Sequence, residues 1–298
     1  MVVCKFNGDH GKRKSMRNLF SKSDLRSKSA PGRIPTRRLA IALMALGFSF
    51  AVQAAQAGTV AITASPVGAV PTAAGTGLNG SYYKFTTSPG NVANANTMIS
   101  QAASATATFS ASTICFPDCA GTSLSDSNTP ATLFANSTNF SYTNPNNVPT
   151  SVSTSATVLS GYIAIANPGC YTFYLGSDDG SALTIGGQVV DNDDGDHAFT
   201  TVTNTATFAA AGLYSISITY FEDGGVTALD LYATNSSGQC ILGRAANCAA
   251  GAGTSTTLLY GSLPTAAVPE PASLSVLGLG LLGLAAIRRK MLRAPAVA

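Results

Sequence analysis

The chain has 298 residues, 45% of them hydrophobic and 10% charged, and a formal net charge of +3. That charge is segregated: 11 of the 17 basic residues precede residue 39 and four more (Arg288, Arg289, Lys290, Arg293) lie near the end, so 58–268 holds only Lys84 and Arg244 against 11 acids, 2 − 11 = −9. A region so poor in cations has no electrostatic footprint for a phosphate backbone, which excludes nucleic acid as its partner and points to cation binding instead.

Residues 1–57 read as a signal peptide with a long basic leader. The apolar run 39–52 (LAIALMALGFSFAV) has 14 residues, fewer than the roughly 20 that a membrane-spanning helix needs. Ala55-Gln56-Ala57 supplies the small-x-small pattern that signal peptidase cleaves, which makes Gly58 the first residue of the mature chain. The leader's length fits either a true extended leader or a start codon placed too far upstream. Residues 58–76 are uncharged and rich in Ala, Thr, Gly and Pro, a short strand or spacer leading into the domain.

From Gly77 the texture changes. The segment 78–85 (LNGSYYKF) brings the first dense aromatics, 91–101 (NVANANTMISQ) is the one helical candidate, and the polar, Pro-containing 143–153 reads as loop. Short β-type runs then follow at 156–166, 170–176, 182–190, 200–208, 214–221 and 226–233. Alternation is clearest in Tyr214-Ser215-Ile216-Ser217-Ile218-Thr219-Tyr220, which puts Tyr214, Ile216, Ile218 and Tyr220 on one face. Within 182–190, Gly186-Gly187 tolerates the positive φ angles of a two-residue hairpin turn. Strands at this spacing with Gly and Asn turns indicate an all-β sandwich or barrel.

The hairpin carries the most suggestive chemistry. Six of the 11 acids fall in 175–197: Asp178 and Asp179 before the first strand, and Asp191, Asp193, Asp194 and Asp196 after the second. Like charges brought together by hairpin closure need water or a cation to compensate them. Asp178-Asp179-Gly180 also has the composition of a simple turn. The run Asp191 to Asp196 fails the EF-hand pattern, because placing Gly195 at position six puts Val190 at position one and Thr201 where a Glu is needed. It stands as a secondary cation candidate or a solvated turn. His197 has no second His or Cys at zinc spacing and no nucleophile elbow beside it, and no separated carboxylate pair marks a hydrolytic cleft. The expectation is therefore a binding module, not an enzyme.

Five cysteines follow the leader. Cys115 with Cys119 and Cys240 with Cys248 are the nearest pairs, which leaves Cys170 free or linked to a partner. Phe116, within the first Cys loop, and Phe221, beside an acidic loop, are the candidate aromatic platforms for a sugar.

Taken together, Gly161-Tyr162-Ile163, Pro168-Gly169-Cys170-Tyr171-Thr172-Phe173-Tyr174-Leu175, Ser177-Asp178-Asp179-Gly180-Ser181, Leu183-Thr184-Ile185-Gly186-Gly187, Val189-Val190-Asp191-Asn192, His197, Ala211-Gly212-Leu213-Tyr214 and Ile218-Thr219-Tyr220-Phe221-Glu222 resemble a PA14 domain, with 77–83 similar to its opening strand. The resemblance implies a PA14-like β-sandwich over 77–250, followed by a linker at 251–267. In the adhesin branch of that family two adjacent Asp residues joined by a cis peptide bind Ca²⁺, and the ion holds sugar hydroxyls. The matching pair here is Asp178-Asp179. The adhesins' further ligand comes from a loop matched here by Glu222-Asp223-Gly224-Gly225, so Glu222 or Asp223 stands where the adhesins carry Asn. Two functions follow: calcium-dependent binding of a glycan or exopolysaccharide, or a structural surface or biofilm protein that uses calcium for stability only.

Residues 268–298 form a second address. Pro269-Glu270-Pro271 precedes an apolar run at 272–287, a single C-terminal hydrophobic helix about 24 Å long, and then Arg288-Arg289-Lys290. That order resembles the PEP-CTERM sorting signal of Gram-negative bacteria. It implies a transient inner-membrane anchor with its basic end cytoplasmic, recognition by an exosortase, and release or attachment at the cell surface.

Overall fold

The computed structural model describes residues 58–118, 122–243 and 258–264. The leader, the sorting segment, Cys119 and Cys248 lie outside them. Strands and helices are numbered in chain order.

The period-2 pattern decides the architecture. Tyr214, Ile216, Ile218 and Tyr220 are all buried, with Ser215 exposed between them, so β12 (Gly212–Glu222) presents one apolar face as its sequence predicts. It lies inside an eight-stranded sheet in the order β10 (Gln188–Asp193), β9 (Ser181–Ile185), β12, β7 (Ser155–Ile165), β2 (Leu78–Lys84), β3 (Ala107–Ala111), β6 (Thr138–Tyr142), and β15 (Leu259–Tyr260) also pairs with β7. The facing seven-stranded sheet runs β1 (Thr59–Ile62), β11 (Thr200–Phe208), β8 (Gly169–Asp178), β13 (Val226–Asn235), β14 (Cys240–Leu242), and β4 (Ile114–Phe116) and β5 (Leu124–Ser125) also pair with β13. Between the sheets, Phe173, Leu175, Leu229 and Leu231 of one meet Ile163, Leu183, Ile216 and Ile218 of the other in a single core. The sheets also take in Thr59–Ile62 and Leu259–Tyr260, from the stretches read as spacer and linker.

Two helices complete the described residues. Helix α1 (Val92–Gln101) is capped by the Asn91 side chain, which accepts from the Asn94 amide at 2.7 Å. It packs on the outer face of β12 through Val92, Ala95 and Ile99. Helix α2 (Pro130–Leu133) is a single turn with Pro at its start.

The hairpin between β9 and β10 closes through Gly186 and Gly187 at φ 58° and 78°, the two positive angles of a tight two-residue turn. A bulge between Val189 and Asp191 then breaks the alternation, so Val190 and Asp191 are both buried in succession. Cys115, Cys170 and Cys240 are disulfide-bonded, so Cys170 is not a free thiol.

Candidate metal centre

Topology, not sequence proximity, builds the site. The chain passes from β8 in one sheet to β9 in the other through Asp179-Gly180, and from β12 back to β13 through 223–225. Because β8 pairs with β13 and β9 with β12, the two crossings lie side by side at one end of the sandwich. Asp178, Asp179 and Glu222 meet there. One carboxylate oxygen from each lies within 4.8 Å of the others. All three side chains are buried: Asp178 is 4% exposed, Asp179 5% and Glu222 0%. The peptide bond between Asp178 and Asp179 is cis, as the resemblance implies.

Backbone amides hold part of this cluster in place. Phe199 N donates to Asp178 Oδ2 at 2.9 Å, His197 N to Asp179 Oδ1 at 3.0 Å, and Asp223 N to Asp179 Oδ2 at 2.9 Å. The crossing has no spare room: a Cβ on Gly180 would lie 2.4 Å from Phe221 Cε1 and 2.9 Å from the backbone of Gly195. Two carboxylate oxygens, Glu222 Oε1 and Asp223 Oδ1, are buried without any partner. Unpaired buried acceptors are costly, and an oxygen-preferring cation is one way to satisfy them.

The electrostatics agree. Burial pushes Glu222 up to about 8; the Tyr220 hydroxyl pulls it back only in part, and the charge of Asp179 adds to the rise. Burial, then the charge of Asp179, raises Asp178. The Tyr220 hydroxyl lies 2.5 Å from Asp178 O, 2.8 Å from Glu222 Oε2 and 2.6 Å from Thr227 Oγ1. Its own proton serves one of these oxygens, so a second comes from Thr227 or from a protonated Glu222. Lys84, the one Lys or Arg among the described residues, is engaged elsewhere, donating to Ser153 O.

His197 is no metal ligand in this arrangement. Its Nδ1 faces Ala198 O at 3.0 Å and its Nε2 faces Asp193 O at 3.1 Å. Carbonyls only accept, so both ring nitrogens are best used as donors. Burial lowers the His197 pKa, but these carbonyls and the charges of Asp193 and Asp179 outweigh it and raise it overall.

The acid run from Asp191 to Asp196 begins within β10 and does not gather into one cluster; among the described residues the carboxylates that meet as a candidate metal group are those of Asp178, Asp179 and Glu222. The run's four acids go to four places. Asp191 turns inward at the bulge and accepts from Asn204 Nδ2 at 2.9 Å. Asp193 lies 3.5 Å from His197 Nε2. Asp194 accepts from Val92 N at 2.7 Å and so caps α1, where the helix dipole favours an anion. Asp196 lies close enough to Asp223 to feel its carboxylate, at the edge of the primary cluster; desolvation, then the interaction with Asp223, raises its pKa.

Both aromatic expectations are corrected. Phe116 is buried against Phe109 and Phe134, with ring centroids 5.9 Å and 5.0 Å away. Phe221 is buried between β12 and α1, beside Val92, Ala95 and Ala156. Neither ring can stack on a sugar. Phe199, which the sequence reading does not single out, is 45% exposed, and its own amide holds Asp178. Its only signal in the sequence was its position two residues after His197.

A family profile described as the PA14 domain matches residues 75–239, and one described as the PEP-CTERM protein-sorting motif matches 267–290. Among solved structures, the PA14 domain of the MpAFP antifreeze protein aligns with a TM-score of 0.52 at 21% identity, over 66% of this chain and 97% of that one. The PA14 sugar-binding domain from an RTX adhesin aligns at 0.47 and 25% identity, over 57% and 95%. The Epithelial Adhesin 6 A domain from Candida glabrata, in complex with Galb1-3GlcNAc, aligns at 0.41 and 16% identity, over 66% and 93%. No curated protein matches the chain.

Proposed function

The chain belongs to the PA14 domain family, and we propose that it is an exported, exosortase-processed protein of the cell surface or extracellular matrix that binds carbohydrate through calcium. The observation that carries this reading is the meeting of Asp178, Asp179 and Glu222, buried, all-oxygen and, among the described residues, without a Lys or Arg beside them. The donor set fits calcium, which takes six to eight oxygens from carboxylates, carbonyls and water. Asp178, Asp179 and Glu222 would hold the ion, with Asp223 adding its unpartnered Oδ1. Bound there, calcium would neutralise the cluster and offer coordination positions to sugar hydroxyls.

The protein's own residues supply the rest. The amides of Phe199, His197 and Asp223 orient the two aspartates, and the Phe199 ring, partly exposed and lying over Gly176 of β8, is the aromatic surface we offer for a sugar face to stack on. Nothing in this arrangement requires a catalytic step. The sorting motif supports export, with signal peptidase acting at one end of the chain and exosortase at the other.

One observation favours the second reading, a structural role in which calcium only stabilises the fold: Glu222 is wholly buried, which draws the ion inward, away from any ligand. A glycan array run with calcium and with chelator separates the two. Sugar binding that chelation abolishes supports the first. A calcium-dependent melting temperature without any sugar signal supports the second.

A further inference from the structure

Asp191 is the most conspicuous charge that the calcium site does not use. It is 0% exposed, its Oδ1 accepts from Asn204 Nδ2 at 2.9 Å, and its Oδ2 is buried without a partner. The charge that acts on it is that of another carboxylate, Asp193, which adds to its cost. Burial pushes its pKa up to about 7, although the Asn204 side-chain and backbone amides draw it down. A buried carboxylate held by neutral amides alone is expensive without a cation.

The other end of the same Asn204 amide leads to Gly58. Asn204 Oδ1 accepts from Gly58 N at 2.7 Å, and Gly58 O accepts from Thr205 N at 3.0 Å. The parallel pairing of β1 with β11 starts at the next residue, Thr59 opposite Thr205. Further on, Gln188 of β10 donates to Ala61 O at 3.0 Å and accepts from Thr63 N at 2.9 Å. Residues 58–63 are thus fixed by the two strands that carry Asn204 and Asp191. A Cβ at Gly58 would lie 3.1 Å from Asn204 Oδ1, so glycine gives this nitrogen its closest unhindered approach.

Gly58 is also the residue that follows the Ala55-Gln56-Ala57 cleavage pattern. As a peptide amide its nitrogen has a single proton, which Asn204 Oδ1 takes. As a new N-terminus it becomes an ammonium with three donors and a positive charge, two hydrogen bonds from the buried carboxylate. We propose that Asn204 and Asp191 form a receptor for the α-ammonium group of Gly58, so that removal of the leader supplies a cation to this end of the sandwich. Signal-peptide cleavage then completes an electrostatic link between β1, β10 and β11.

The inference rests on cleavage after Ala57, and its test keeps the two apart. Intact mass of the exported protein reports the first residue; any start other than Gly58 overturns the cleavage reading and the receptor's use in the exported protein with it. Independently, two chains ending at Ala298 are compared in detergent, one starting at Gly58 and the other at Ala57, which moves the ammonium by one residue. The Gly58 chain is expected to melt about 2–4 °C higher, and the gap is expected to vanish when both carry Asp191→Asn. Equal melting temperatures, or a gap that Asp191→Asn leaves unchanged, would overturn the receptor. If Asp191→Asn does not fold, labelling of the N-terminal amine at neutral pH decides: several-fold slower reaction for the Gly58 chain is expected, and equal rates refute it.

Discussion

Glu222 gives the sharpest handle on the acidic cluster. Its carboxyl is fully buried and its pKa stands at about 8, against an ordinary 4.5. A folded-state pKa raised in this way means that the metal-free fold prefers the protonated acid. The stability it contributes is fully present below about pH 4.5 and is lost progressively as pH rises to about 8. At about 1.4 kcal/mol per pH unit, the difference between 4.5 and about 8 amounts to about 5 kcal/mol. Glu222→Gln keeps the shape and removes the titration. In chelator, the variant should match the parent near pH 5 and exceed it at pH 8.5 by a few kcal/mol, with about 5 as the ceiling. With calcium at about a hundred times its Kd, the parent should gain about 2.7 kcal/mol at pH 8.5 and the variant much less. Urea denaturation at the two pH values, with chelator and with calcium, measures all four quantities. Asp178 and Asp191 titrate in the same direction, so the parent alone is not diagnostic; the parent-minus-variant difference isolates Glu222. A difference that does not change between pH 5 and pH 8.5 would refute the assignment of a buried, uncompensated carboxylate.

Three further outcomes are expected. Gly180→Ala forces a Cβ against Phe221 and the Gly195 backbone; it should cost about 1–3 kcal/mol in denaturant unfolding and weaken calcium binding, and a neutral result would show that the crossing is not tightly packed. Phe199→Ala removes an exposed ring, so the melting temperature should hold while affinity for a bound glycan falls about fivefold, the equivalent of about 1 kcal/mol of stacking; unchanged affinity would remove Phe199 from the sugar site. Glu270→Ala, within the matched sorting motif, should accumulate an uncleaved membrane form on immunoblots of fractionated cells, and normal release would contradict exosortase recognition at Pro-Glu-Pro.

The sequence made legible whatever depends on local pattern. Alternation in 214–220 gave the buried face of β12, Gly186-Gly187 gave the hairpin, and Asn91 to Gln101 gave the helix. The adjacent pair Asp178-Asp179 marked the primary site, and Glu222 joined it through a resemblance in loop position, not through spacing; the two crossings that bring them together are a property of the sheets. What stayed hidden depends on long-range cover. Phe221 stands beside the acidic loop in sequence, which suggests a sugar platform; it points away from the main core, and α1 packs over that outer face and buries it. The run from Asp191 to Asp196 looked like one charged loop because its fate turns on a bulge at Val190 and on partners at Asn204, Val92 and Asp223, none of them near in sequence. Strands β3 to β6 lie in a Ser/Thr/Asn-rich stretch with weak alternation, and long-range pairing defines them: β3 with β2, β6 with β3, and β4 and β5 with β13.

The central claim is that the meeting of Asp178, Asp179 and Glu222 is a calcium site. Calorimetric titration of calcium into metal-stripped protein tests it most directly. The account predicts saturable binding at one site per chain that Asp178→Ala abolishes in a still-folded protein. The absence of stoichiometric binding, or binding that Asp178→Ala leaves intact, would contradict it.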